Sequence, residues 1–209
     1  MSVRQLPMFP LGSVLVPGSA LSLHVFEPRY QALVKDCVAA PDHEFGVVLI
    51  DRGHEVGGGD VRRKVGVVAR IVRVAELPGG RFAVIAVGLG RLRVLQWLAD
   101  APYPCAEIEE WPDDDEPVDR ELLASVTTRT RRALALATEL GDPVESTELG
   151  LDANDSDAAT SYQLADAAPI GADDRYRLLC APGPAARLRM LATLLDDVEA
   201  AQQFRLQGP

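Results

Sequence analysis

A phosphate-binding loop needs a glycine, then a lysine, then serine or threonine. The 209-residue sequence has two lysines, Lys35 after Val34 and Lys64 after Arg63, and neither stands in that motif. Gly88-Leu89-Gly90-Arg91-Leu92-Arg93 begins like a dinucleotide fingerprint. It fails at its last position and sits in a strand pattern rather than at a strand-to-helix turn. His24, His43 and His54 have no second histidine or cysteine at ligand spacing, so they read as satisfied or solvated side chains. Cys37, Cys105 and Cys180 are far apart, odd in number and outside any Cys-x-x-Cys. They read as structural thiols in a reducing cytoplasm, not as a zinc site or a disulfide framework. Asp152 to Asp157 carries the carboxylates of a calcium loop, but Asp157 stands where that loop needs glycine and Gln163 where it needs glutamate. It reads as a solvated loop plus a helix cap. No catalytic residue, cofactor or metal is expected.

Charge is the chemistry that remains. From Arg52 to Arg93 there are nine basic residues against three acidic ones, Glu55, Asp60 and Glu76. Arg70, Arg73, Arg91 and Arg93 interrupt strands and are the candidate partner-binding residues, on an outer sheet face. Arg70 and Arg73 differ in parity, so sharing that face requires a bulge between them. Such a strip serves one of two ends. It is a solvated face that keeps sheet edges from aggregating, or it is a surface for an anionic partner such as RNA. Against RNA stand the net charge of −10 and the lack of a clustered aromatic stacking platform.

The elements that must position these residues are organised around Val61 to Val94. Two β-branched runs flank Pro78-Gly79-Gly80, where proline presets φ and the glycines accept positive φ. Phe82, Val84 and Ala86 alternate with Ala83, Ile85 and Val87, all apolar, so this arm is expected to be buried on both faces. Gly88 and Gly90 mark a bulge. Ahead of the hairpin, Pro7 and Pro10 suit an extended edge segment, Val14-Leu15-Val16 a short strand and Leu21 to Val25 a half-buried one. Pro28 opens a helix whose stripe is Tyr30, Leu33, Val34, Cys37 and Val38 and which stops by Pro41. Glu44 to Ile50 reads as a buried strand, Asp51 to Asp60 as a mobile loop, and Tyr103 to Trp111 as a last strand.

Residues 1–110 carry 12 basic and 12 acidic residues, and the remainder carries nine and 19. The shift falls at Trp111-Pro-Asp-Asp-Asp-Glu-Pro117, a solvated linker by its prolines and charge. Beyond it, helices are expected from Pro117 to Leu140, through Ala167 with Asp155 or Ser156 as cap, through Cys180 with Asp173 as cap, and from Ala185 to about Gln203. An acidic loop at Glu145 to Asp152 separates the first two. No apolar run approaches the roughly 20 residues of a membrane span, and the N-terminus lacks a basic-then-apolar signal region.

Leu6-Pro7-Met8-Phe9-Pro10-Leu11, the Val14-to-Gly18 turn and the Phe26-to-Cys37 helix resemble the opening of the Lon protease family's N-terminal, substrate-binding domain. Val65-Gly66-Val67-Val68-Ala69 and the hairpin from Leu77 to Arg91 resemble its centre. Leu164-Ala165-Asp166, Tyr176 to Leu179 and Arg187 to Leu195 resemble its helical part. The resemblance implies an α+β fold, with a PUA-like β pseudo-barrel over 1–112 and a helical bundle over 117–209. It implies substrate recognition and help in assembly, with ATPase and Ser-Lys peptidase modules lying later in such chains. The peptidase module has no counterpart here, because the sequence ends where the helical part ends. The expectation is a stand-alone, non-enzymatic cytoplasmic protein that binds unfolded or partner polypeptides, at a junction groove or an exposed sheet edge. RNA binding by the basic face is the alternative, because PUA-like folds include RNA binders, and an oligomerising partner of a protease or other ATPase is a third.

Overall fold

A computed structural model describes residues 3–52, 61–142, 149–152 and 154–207. His54, the Gly57-Gly58-Gly59 run and Glu145 to Glu148 of the acidic loop lie outside them. The chain divides into two compact units, 1–112 and 113–209.

In the first unit the order is β1 (Val3–Leu11), β2 (Ala20–Val25), α1 (Pro28–Ala39), β3 (Glu44–Arg52), β4 (Val61–Leu77), β5 (Arg81–Trp97) and β6 (Cys105–Glu110). The sheet runs β2-β5-β4-β3-β1-β6, and β6 also pairs with β5, so five strands form a closed ring with β2 attached outside it. Leu6, Met8, Val48, Val68, Leu92, Val94, Ala106 and Ile108 fill one core cluster of this unit. Helix α1 packs on β1 and β5, burying Tyr30, Leu33, Val34 and Cys37, and the Phe9 and Tyr30 rings stack at 4.2 Å.

The β4–β5 turn is as the sequence indicates, with Gly79 and Gly80 at φ 81° and 73°. The register slips between Val68↔Gly90 and Ala69↔Gly88, which makes Leu89 the extra residue of a bulge. A second slip between Ile71 and Arg73 is the bulge that brings Arg73 onto the face of Arg70.

Three expectations change. Strand β5 is buried on one face only. Phe82, Val84 and Ala86 point inward, whereas Ile85, opposite Arg73 and Ser22, is 38% exposed. Apolar composition on both faces therefore reflects an apolar outer surface, not double burial. Strand β1 is not a single edge along its whole length. Residues 3–7 pair with β6 and residues 8–11 with β3, so each half is laddered on one side and leaves the other for a proline without N–H. Val14 to Val16 is buried but joins no ladder.

The second unit contains α2 (Arg120–Glu139), α3 (Asp157–Ala167), α4 (Ala172–Leu179) and α5 (Pro184–Leu206). Asp119, not Pro117, sets the start of α2, its carboxylate accepting from the Glu121 N–H. Ser156 caps α3 through Ala159 N–H, and Gly171 rather than Asp173 precedes α4. Helix α5 touches the other three, and Leu188, Leu191 and Leu195 on it are fully buried.

The acidic segment after Trp111 is not a solvated linker along its whole length. The Trp111 N–H donates to the Arg91 carbonyl within the first unit. In the second unit, Asp114 N–H donates to the Pro182 carbonyl and Asp113 pairs with the buried Arg187.

Candidate functional site

The four candidate arginines occupy different environments. Arg70 bonds Glu44 Oε1 at 2.7 Å, and Arg4 bonds the other oxygen of the same buried carboxylate, also at 2.7 Å. Arg93 lies opposite Glu109 in the ladder and pairs with it at 3.2 Å. Arg91 is a correction to the outer-face expectation, since it is only 3% exposed. Its guanidinium lies 4.0 Å over the Trp111 ring and donates to the Pro112 carbonyl, so the chain after β6 covers it. Arg93 shares that ring at 4.3 Å. Arg73 is exposed and has no hydrogen bond or ion pair among the described residues. Elsewhere in the strip, Arg62 pairs with Asp100 at 3.0 Å and Arg63 with Asp51 at 2.6 Å. The strip is thus largely neutralised by the chain's own carboxylates.

Cys37 is buried on α1 and donates to the Glu44 carbonyl. Burial, with help from Asp36 and Asp42, pushes it up to about 12. Burial first, then the Asp36 carboxylate that accepts its proton at 2.6 Å, pushes the Tyr103 hydroxyl above its usual range. A thiol so held is a poor nucleophile. In the Asp152–Asp157 segment the oxygens face the chain itself. Asp152 accepts from the Asn154 N–H, and Asp155 accepts from the Asp152 N–H and from Gln163. Among the described residues no group of three or more His, Cys, Asp or Glu is placed to hold a metal ion. No helix among them is long and apolar enough to cross a membrane.

What the first unit does offer is a cleft of about 290 Å³. One wall is β2, from Leu21 to Val25. Phe9, Leu11 and Ser13, at and just after the end of β1, and Phe26, Glu27 and Tyr30, around the start of α1, complete the lining. The local sequence explains the shape. Leu21, Leu23 and Val25 alternate with Ser22 and His24, so one face of β2 is apolar and the other wet. Pro28 starts α1 three residues after the end of the strand, which leaves Phe26 on a tight corner and 55% exposed. Glu27 is the carboxylate of the lining, and Arg29 sits on it at 3.1 Å. The cleft therefore presents apolar surface and little uncompensated charge. The sequence left binding at either a junction groove or an exposed sheet edge and named no strand. The apolar-polar alternation from Leu21 to Val25, which runs straight into Phe26, marks one part of this cleft.

Comparison with known proteins places these features. The model of the ATP-dependent protease La (LON) substrate-binding domain matches residues 5–197. A crystal structure of a Lon N-terminal domain protein from Xanthomonas campestris superposes with a TM-score of 0.65 at 28% identity, covering 91% of this chain and 98% of that one. Lon protease 2 of Myxococcus xanthus is 35% identical over 150 residues, which is 69% of this chain and 18% of that protein. The LON peptidase N-terminal domain and RING finger protein of Schizosaccharomyces pombe is 23% identical over 96% of this chain and 47% of its own length. The chain thus spans less than half of these two longer relatives.

Proposed function

The chain belongs to the Lon substrate-binding domain family, and from that membership we propose that it binds unfolded or partner polypeptide segments in the service of proteolysis, without catalysing a reaction itself. The observation that carries the reading is the match of residues 5–197 to a substrate-binding domain. The cleft beside β2 supports it. An apolar side chain moved from water into such a site contributes roughly 1.5–3 kcal/mol, and the Arg29-paired Glu27 does not select for charge. The arginine strip gives less support to RNA as the ligand. Arg70 and Arg93 already face carboxylates, and Arg91 is covered.

The test is fluorescence anisotropy with three labelled probes: a reduced and carboxymethylated model protein, the same protein in native form, and single-stranded RNA. The unfolded probe is expected to bind, the native one not, and salt to change that affinity by no more than a few-fold. RNA is expected to bind weakly or not at all near ~0.15 M salt. Submicromolar RNA binding that falls by about 0.7 log units per log unit of salt for each contacted phosphate would overturn the proposal.

A further inference from the structure

Strand β2 pairs with β5 alone among the described residues. The Gly88 N–H donates to the Ser19 carbonyl, and the register runs Ala20↔Val87 to Val25↔Phe82. Hydrogen-bonded pairs alternate in an antiparallel ladder, so Leu21, Leu23 and Val25 bond to β5. The backbone N–H and C=O groups of Ala20, Ser22 and His24 then point away from it, along the other edge. The cleft lies on that edge. Every residue from Leu21 to Val25 lines it, and a strand whose side chains alternate between faces contributes consecutive residues to one cleft only along its edge. Phe9 and Leu11, in the half of β1 that is laddered to β3, line the same cleft.

We infer that this edge takes one extended polypeptide segment as an added strand, with apolar side chains at alternate positions entering the cleft. The inference rests on the polypeptide-binding reading and says where and how the segment binds. The main-chain groups of Ala20, Ser22 and His24 supply hydrogen bonds indifferent to sequence, and the cleft supplies selection for apolar residues. Charge complementarity points the same way. Glu27 is matched by Arg29, so an uncharged segment brings no unpaired charge into the site, whereas an acidic or basic one does. The six residues of β2 fix the length, since at about 3.3 Å per residue they span roughly 20 Å.

The experiment uses the full chain and a labelled octapeptide, Ser-Val-Ser-Leu-Ser-Val-Ser-Leu. Two further versions carry N-methyl groups, one on every Ser and one on every Val and Leu. The N–H groups of a strand alternate between its edges, so one methylated version is expected to lose tenfold or more in affinity and the other to bind like the parent. Ser22→Pro removes an edge donor that is outside the β2–β5 ladder, and it is expected to weaken the parent peptide by tenfold or more with little change in melting temperature. If Ser22→Pro does not fold, the methylated pair decides. Equal binding of all three peptides overturns the edge site and leaves polypeptide binding standing if the unfolded model protein still binds. No binding of either the peptide or the unfolded protein overturns both. A concentration-dependent dimer that Ser22→Pro abolishes, with no peptide bound, would assign the edge to a second copy of the chain instead.

Discussion

Arg187 exposes none of its side chain, and its guanidinium holds Asp113 through two nitrogens, at 2.7 and 3.3 Å. It also donates to Ser161 Oγ and to the Leu178 carbonyl, and it lies 3.6 Å over the Tyr162 ring, whose hydroxyl donates to the same Asp113. One side chain on α5 thus gathers α3, α4 and the segment ahead of α2.

Replacing Arg187 with Met leaves the carboxylate of Asp113 without its cation, which is expected to cost about 3–5 kcal/mol. Adding Asp113→Asn should recover part of that loss, because the stranded charge goes with it. A fragment of residues 113–209 is expected to outlast one of residues 117–209 in urea, since the shorter fragment lacks Asp113. Far-UV circular dichroism during urea titration measures all four. Equal midpoints for the two fragments would mean that Asp113 contributes nothing to the helical unit.

The thiol of Cys37, ordinarily near 9.0, is pushed up to about 12 by burial and the neighbouring Asp36 and Asp42. The folded chain keeps a proton that the unfolded chain gives up above pH 9.0. This contribution to stability is therefore complete below that pH and is lost as pH rises toward 12. Tyr103, raised in the same direction, adds to the decline at higher pH. Equilibrium unfolding followed against pH should show a fall that Cys37→Ala makes shallower. Iodoacetamide at about pH 8 should leave Cys37 unmodified until denaturant is added, which peptide mass mapping reads directly.

A Cβ at Gly88 would lie 2.5 Å from the Val16 carbonyl oxygen, whereas one at Gly90 would meet nothing within 4 Å. Gly88 also bonds Gly18 and Ser19 through its own backbone, so the approach to β2 is fastened there. Gly88→Ala is expected to destabilise the chain by about 1–3 kcal/mol, the usual cost of overpacking. Gly90→Ala is expected to be close to neutral. Urea midpoints of the two variants provide the comparison, and a loss of similar size in both would point to a general intolerance of the bulge instead.

The parts of the fold written in local chemistry were legible. Pro78-Gly79-Gly80 marks its turn because few other residues adopt that backbone, and Ser156 caps α3 because a hydroxyl there satisfies an orphan N–H. Partnership across the sequence was not legible. Arg91 read as an outer-face charge and Arg187 drew no reading of its own, yet both are buried, because Trp111 and Asp113, far away in sequence, cover or neutralise them. The same limit explains β5, whose outward Ile85 and Val87 are apolar without being core. The cleft stayed hidden for a related reason. The alternation of β2 marks only part of its lining, and Phe9 and Leu11 join that part through the fold and not by any spacing that a periodicity detects.

The pairing of β1 has a consequence for the nascent chain. Val3 to Pro7 ladder onto Glu109 to Cys105, so the first strand of this unit is completed by its last. Until about residue 110 has been made, half of β1 has no partner, and Leu6 and Met8 lack the Ala106 and Ile108 they pack against. Closing a loop of that length is entropically unfavourable before any contact rewards it. During synthesis, therefore, a chain of a substrate-binding family is itself incompletely folded, with an open sheet edge and an apolar interior, until its sixth strand arrives.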